Sequence, residues 1–118
     1  MDERRVKPRW QINQGAELIV ENGVKAIPCV VEDLSQEGVR ISLSRNLFDD
    51  AFSRFKLSLA EDCELNINAQ VVWRKEHYER NIYGLLFNHT EKSVQEDIDQ
   101  YIRKYYPGLI AKYLWGAG

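Results

Sequence analysis

Two polar groups in this sequence have residue types and spacings suited to binding. The first is a basic arm near the N-terminus, where Arg5 and Arg9 lie four residues apart and Arg4 precedes them. The second, residues 33–38, combines Asp33, Ser35 and a glycine. Guanidinium groups present planar forks of N–H donors, whereas carboxylates only accept. Each group alone is also typical of ordinary structure, because basic arms are solvated and Asp-x-Ser-x-x-Gly is a usual turn composition.

The remaining polar residues argue against an enzyme and against a metal site. The chain has two histidines, His77 and His89, and histidine is the side chain most often recruited for acid–base catalysis. Zinc sites need closely spaced ligand pairs such as C-x2-C, and Cys29 and Cys63 lie far apart. We therefore expect neither catalytic residues nor metal ligands.

Composition limits the partners. Sixteen Lys and Arg against 18 Asp and Glu give a net charge of −2, which argues against a nucleic-acid polymer as partner. No apolar run approaches the roughly 20 residues that cross a bilayer, so we expect no membrane insertion. Two lone cysteines indicate reduced thiols and a cytoplasmic location. We expect a monomer or a weak dimer.

Alternating apolar residues predict a mainly β fold. The clearest strand covers residues 64–73, where alternation places Val71 and Trp73 on one face. Asn22 and Gly23 predict a hairpin turn between two earlier strands. Further strands are expected at residues 39–43, 55–59 and 82–87, and residues 44–53 are expected to form a loop. We expect about six antiparallel strands in a compact barrel or sandwich.

The sequence then changes to a helical period. Ser93 with Glu96 fits a capping box. One helical face then carries Val94, Ile98, Tyr101, Ile102 and Tyr105. We expect a single domain over residues 1–118. Within it, residues 1–13 form a flexible basic arm, residues 14–90 the barrel and residues 91–115 a C-terminal helical segment.

Taken together and in order, the two polar groups resemble the signature of the PilZ domain family, the bacterial receptors for cyclic di-GMP. The arm reads Arg5-Val6-Lys7-Pro8-Arg9, matching R-x-x-x-R, and Asp33-Leu34-Ser35-Gln36-Glu37-Gly38 matches [DN]-x-S-x-x-G. The strand pair ending in Trp73 and Phe87 is also similar. The resemblance implies a six-stranded antiparallel PilZ-type β-barrel with a C-terminal α-helix.

The resemblance also implies roles for individual residues. Arg5 and Arg9 would pair with guanine edges and neutralise phosphates, with Arg4 adding a further contact. Asp33 would accept guanine N–H groups, and Ser35 would serve a phosphate or a base edge.

Three further positions belong to the implied ligand site. Gly38 would allow a positive φ or a close approach of backbone to ligand. Arg40 follows it on the outward face of the next strand. Trp73 has two open interpretations, because its phase with Val71 predicts a core residue while its place in the family pattern can lie beside the ligand.

The implied function is binding of cyclic di-GMP, followed by ordering of the arm and a signal to an unidentified effector protein. Two alternatives stay open. One is a PilZ-like adaptor that binds proteins but not the nucleotide. The other is a small β-barrel that binds single-stranded nucleic acid through outward aromatic residues.

Overall fold

A computed structural model describes residues 8–20 and 26–116 of the chain. Seven strands and two helices follow one another along these residues, with a short 3-10 helix at Asp49–Phe52. The strands are β1 (Trp10–Val20), β2 (Ile27–Leu34), β3 (Gly38–Leu43), β4 (Phe55–Ala60), β5 (Cys63–Ile67), β6 (Ala69–His77) and β7 (Arg80–Phe87). The helices are α1 (Lys92–Tyr105) and α2 (Pro107–Ala111), after which Lys112–Gly116 forms one π-helical turn.

All seven strands belong to one antiparallel sheet with the order β5-β4-β1-β2-β3-β7-β6. The two edge strands, β5 and β6, are consecutive in the chain and are separated only by Asn68. A one-residue connection between opposite edges requires the sheet to curl until those edges meet. The sheet is therefore barrel-like, and the backbone N–H of Asn88 donates to the Asn68 carbonyl at this corner (2.9 Å).

The corner at Asn68 corrects the expected strand count. Residues 64–73 were expected to form one strand, but they divide between β5 and β6, so the sheet has seven strands rather than six. The inward alternation of Leu65, Ile67 and Ala69 is confirmed, since all three are buried. Alternation continues across the corner because the chain turns without changing which face points to the core.

The other expected elements differ mainly at their ends. Strands β3, β4 and β7 lie where alternation predicted them, and β1 begins at Trp10, inside the span expected for the arm. The predicted turn at Asn22 and Gly23 lies outside the described residues, but the flanking strands pair antiparallel, with Leu18 opposite Ile27. The segment expected to be a loop at residues 44–53 contains the short 3-10 helix.

Helix α1 covers one end of the core. Ile98, Tyr101 and Ile102 of the predicted apolar face are buried and Val94 is half-buried, whereas Tyr105 is exposed. The predicted capping box is wrong: the helix begins at Lys92 with Glu91 at the N-cap and no side-chain capping bond. Among the residues the structure describes, no helix is long and apolar enough to cross a bilayer.

Burial controls the chemistry of both cysteines. Cys29 and Cys63 are unpaired and buried, and loss of hydration raises the pKa of each thiol to about 11. The reactive species is the thiolate, which is scarce at any pH well below that value.

We therefore expect a thiol-specific chromogenic disulfide to react slowly with the folded protein at mildly alkaline pH. The rate should rise steeply towards pH 11, and denaturant should make both thiols react at once. Rapid labelling of either cysteine in the folded protein at mildly alkaline pH would contradict this expectation.

Candidate functional site

One row of paired residues crosses five neighbouring strands and brings the predicted site together. Gln11 of β1 pairs with Asp33 of β2, and Asp33 pairs with Arg40 of β3. Arg40 in turn pairs with Gly84 of β7, which pairs with Trp73 of β6. Directly paired residues project from the same face of a sheet, so Asp33, Arg40 and Trp73 share the outer face.

A bulge in β2 turns Asp33 to that face. Val31 pairs with Ile41 and Asp33 pairs with Arg40, which leaves Glu32 as an extra residue without a partner. Strict alternation would have placed Asp33 on the same face as buried Val31. The extra residue reverses the phase, so that Leu34 enters the core and Asp33 leaves it.

A second bulge in β6 does the same for Trp73. Val71 pairs with Leu85 and Trp73 with Gly84, which leaves Val72 as the extra residue. The expectation that Trp73 follows Val71 into the core is wrong for this reason. Its side chain is 43% exposed and lies on the outer face, as the alternative interpretation required.

Glycine at position 84 allows the Trp73 indole to lie against strand β7. A Cβ atom on Gly84 would stand 2.3 Å from Trp73 Nε1, closer than any side chain could approach. Because Gly84 has no side chain, the indole has room to lie in the row beside Arg40. Gly84 thus sets the position of an aromatic ring.

Asp33 is the most buried charged residue on this face, only 4% exposed. Arg40 Nη2 lies 3.0 Å from its Oδ2, and Arg9 Nε lies 3.9 Å from its Oδ1. Burial raises the pKa of the Asp33 carboxyl, while Arg40 and then Arg9 oppose that rise and nearby Glu32 adds to it. Asp33 is therefore a desolvated acceptor held between two guanidinium groups.

Arg40 and Arg9 differ in how firmly they are held. Arg40 Nε lies 3.1 Å from Glu32 Oε1, but its alignment makes no hydrogen bond, so this buried N–H has no hydrogen-bond partner. Arg9 precedes β1 directly, and its side chain is 72% exposed. Among the described residues, Arg9 is thus held only by one long ion pair, whereas Arg40 lies against both Asp33 and Glu32.

Ser35 shapes the turn between β2 and β3. Its Oγ accepts hydrogen bonds from the backbone N–H groups of Glu37 (3.0 Å) and Gly38 (3.1 Å). Its own N–H donates to the Gly38 carbonyl (2.9 Å). The hydroxyl is thus used by the loop itself, and its expected contact with a ligand stays a prediction. Gln36 Nε2 donates to Asp99 Oδ2 of α1 (2.9 Å), which fastens the same turn to the helix.

The structure contradicts one of the two roles expected for Gly38, a positive φ, while a close approach to a ligand stays a prediction. No described glycine has a positive φ, so Gly38 does not use the left-handed region. Instead, a Cβ atom at this position would lie 2.4 Å from the backbone oxygen of Leu85 on β7. The close approach is to a neighbouring strand of the protein.

These residues line one open cleft of about 520 Å³. Of the expected site residues, Arg9, Asp33, Ser35, Gly38, Arg40 and Trp73 all line it. Arg4 and Arg5 lie outside the described residues. The cleft also includes several residues that the sequence did not indicate, among them Pro8, Glu37, Val72, Leu86 and Tyr113. For Val72, the adjacent valines at 71 and 72, which break the alternation, were the one available signal.

The cleft combines the groups needed to hold a flat, polar, anionic ligand. Arg9 and Arg40 supply N–H donors and positive charge, and Asp33 supplies a desolvated acceptor. Trp73 supplies a ring on which a planar group can stack. A second cleft of about 500 Å³, bordered by Phe55, Ile67 and Phe87, contains none of the expected site residues. Across the described ranges, no group of three or more His, Cys, Asp or Glu side chains could hold a metal ion.

Comparison with models of known protein families shows which family the chain belongs to. The model for the PilZ domain matches residues 3–104. The chain belongs to the PilZ domain family. No curated protein sequence matches this PilZ chain.

Solved structures agree with this PilZ fold. The PilZ domain of YcgR from Escherichia coli, solved with c-di-GMP, is 13% identical, covers 96% of this chain and 99% of its own, and gives a TM-score of 0.66. A longer YcgR–c-di-GMP complex from the same organism is 16% identical, with 94% and 50% coverage and a TM-score of 0.66. The MrkH–c-di-GMP complex from K. pneumonia is 19% identical, with 98% and 55% coverage and a TM-score of 0.64. The PilZ chain thus spans about half the length of the longer YcgR and MrkH chains.

We expect Gly38→Ala to destabilise the fold by about 1–3 kcal/mol. The alanine Cβ would collide with the backbone of β7, which cannot change conformation as a flexible side chain could. Gly15→Ala is the matched control, since nothing lies within 4 Å of a Cβ there. Urea denaturation gives the free energy of unfolding for both variants. Equal stabilities for the two would show that the approach at Gly38 is not a real constraint.

Proposed function

We propose that this PilZ protein is a cytoplasmic receptor for cyclic di-GMP rather than an enzyme. The observation that carries the proposal is the cross-strand row, which brings Asp33, Arg40 and Trp73 into one cleft beside Arg9. Family membership supports it, and so do the c-di-GMP complexes of the similarly folded YcgR and MrkH. The cleft volume of about 520 Å³ falls in the usual range for small-molecule sites.

The proposed contacts follow from the chemistry of guanine. The O6 and N7 atoms of guanine accept the two parallel N–H bonds of an arginine fork, which lysine cannot supply. Arg9 takes this role in the cleft. Arg5 lies four residues earlier, at most roughly 14 Å away along an extended chain, so it reaches a second guanine or a phosphate. Arg4 adds a phosphate contact.

Asp33 accepts the N–H groups on the opposite edge of a guanine. Its carboxylate is desolvated, so bonds to it are strong, and a ligand that brings N–H donors relieves part of the burial cost. Arg40 opposes the rise that burial causes in the pKa of Asp33, and it faces a phosphate or a base. Trp73 gives one base a stacking surface. Ser35 and Gly38 hold the loop close to the ligand.

The charge distribution favours a small dianion over a nucleic-acid polymer. Four of the 16 basic residues fall within residues 4–9, whereas the whole chain has a net charge of −2. A polymer would meet acidic surface beyond the arm, and Asp33 and Glu37 lie in the cleft itself. A cyclic dinucleotide fits within the basic part alone.

Isothermal titration calorimetry tests the proposal. We expect wild-type protein to bind cyclic di-GMP, and Arg9→Ala to bind it roughly 10- to 100-fold more weakly, because a bidentate pair with guanine is lost. Cyclic di-AMP should bind weakly, since adenine presents an N–H donor where guanine presents O6. A short single-stranded oligonucleotide should give no heat.

Arg103→Ala is the matched control, because Arg103 is exposed on α1 and outside the cleft. It should bind like wild type. No heat from wild type at tens of micromolar cyclic di-GMP would overturn the proposal and favour the adaptor. Heat with the oligonucleotide alone would favour the nucleic-acid barrel.

We further propose that the ligand signals by ordering the N-terminal arm. Arg4, Arg5, Lys7 and Arg9 repel one another, and a dianion that joins the arm to the Asp33 loop removes that repulsion. The ordered arm then presents a surface that engages or releases an effector protein.

Hydrogen–deuterium exchange measures this ordering. Saturating cyclic di-GMP should slow amide exchange at residues 4–10 several-fold, while the buried strand β4 serves as an internal reference. Exchange in the arm that is unaffected by bound ligand would exclude the ordering step and leave binding intact.

A further inference from the structure

The C-terminal segment is held against the first strand of the sheet. The Tyr106 hydroxyl bonds with Gln14 Oε1 on β1 (3.0 Å), and Leu109 and Ile110 of α2 pack against the core. The π-helical turn Lys112–Gly116 follows directly. Single π-turns are rare and occur often at functional sites, because they move side chains out of the regular helical register.

That turn brings Tyr113 to the cleft. The Tyr113 ring meets the Trp10 ring edge-on, with centroids 5.5 Å apart and planes at 74°. Trp10 follows Arg9 directly and pairs with Leu34, the neighbour of Asp33. Tyr113 therefore stands on the side of the cleft where the arm enters, whereas Trp73 stands on the β6–β7 side.

The Tyr113 ring stays partly exposed in spite of this packing. Its edge contact with buried Trp10 fixes its place, yet the residue is 49% exposed and lines the cleft. Edge-to-face contact is a favourable geometry for an aromatic pair, so it can fix the ring without burying it completely. An anchored ring with half its surface open is the arrangement expected of a stacking platform.

We propose that Tyr113 contacts a guanine base of the bound ligand, so that the binding site includes the C-terminal segment. The proposal rests on the function proposed above. The ligand carries two guanines, and the cleft holds two partly exposed aromatic rings on different sides, Trp73 and Tyr113. The second ring contacts Trp10, the residue that follows Arg9, and it lines the same cleft as Arg9, so that a base paired with Arg9 has a ring on which to stack.

A ligand contact and a purely structural role predict different affinities for the Tyr113 variants. A stacking contact depends on the ring, so Tyr113→Phe should bind cyclic di-GMP like wild type. Tyr113→Ala should weaken binding roughly 5- to 100-fold, as the loss of one stacked base does elsewhere. If Tyr113 only covers Trp10, Tyr113→Ala changes the stability of the fold and leaves affinity unchanged.

The experiment is calorimetric titration of the full chain with cyclic di-GMP, for wild type, Tyr113→Ala, Tyr113→Phe, Leu114→Ala and Arg9→Ala. Leu114 is the matched control, since it is the next residue, is 62% exposed and does not line the cleft. Urea denaturation of each variant shows that the comparison is between folded proteins.

Weaker binding for Tyr113→Ala alone among the tail variants supports the proposal. Affinity equal to wild type overturns it, and so does tighter binding, which would mean that Tyr113 obstructs the cleft. In both cases, weaker binding of cyclic di-GMP by Arg9→Ala would still support the proposed receptor function. Absence of binding by wild type would overturn both.

Discussion

One extra residue in each of two strands decides which side chains meet on the outer face of this sheet. Glu32 in β2 and Val72 in β6 have no cross-strand partner, and each reverses the inward–outward phase of the residues that follow. Without them Asp33 and Trp73 would point into the core, where an ionised carboxylate is very costly. The ion pair with Arg40, the indole over Gly84 and the cleft between them all depend on these two bulges.

Two electrostatic features of the outer face are unfavourable: the burial of the Asp33 carboxylate and the incomplete pairing of its arginines. Asp33 is buried enough for ionisation to be disfavoured, and Arg40 and Arg9 offset part of that cost. The pair is incomplete, because Arg40 Nε lacks a hydrogen bond and Arg9 stands 3.9 Å away. A ligand with both N–H donors and anionic oxygens can satisfy the two signs of charge at once, which a simple anion or cation cannot do.

Sequence patterns predicted the parts of this structure that depend on local alternation. Strands such as β3 and β4, and the buried face of α1, follow from apolar spacing alone. The corner at Asn68 did not, because alternation continues through it and only the hydrogen-bond partners change. The two bulges were not predicted, although the adjacent valines at 71 and 72 break the alternation. The apparent phase of Trp73 with Val71 therefore left a core position open beside the ligand-facing one.

The site residues divide in the same way. Among the residues that line the cleft, Arg9, Asp33, Ser35 and Gly38 were predicted because their spacing matches a family signature, and Arg40 because it follows on the outward face. Their local roles were not predictable: the Ser35 hydroxyl bonds to its own loop, and Gly38 avoids the Leu85 carbonyl. Tyr113 depends on a tertiary contact with Trp10, more than a hundred positions earlier in the numbering, which no local pattern records.

The strand order also determines when the site comes into existence during folding. Strand β1 pairs with β4, and β3 pairs with β7, although the paired strands are far apart in the sequence. Leu18 lies opposite Leu57, and Val39 lies opposite Leu85. Such non-local pairings close large loops and are slow to form. The row from Gln11 to Trp73 requires five strands at once, so no partly synthesised chain that stops before β7 can assemble it. The cleft therefore forms only once all five of these strands have paired.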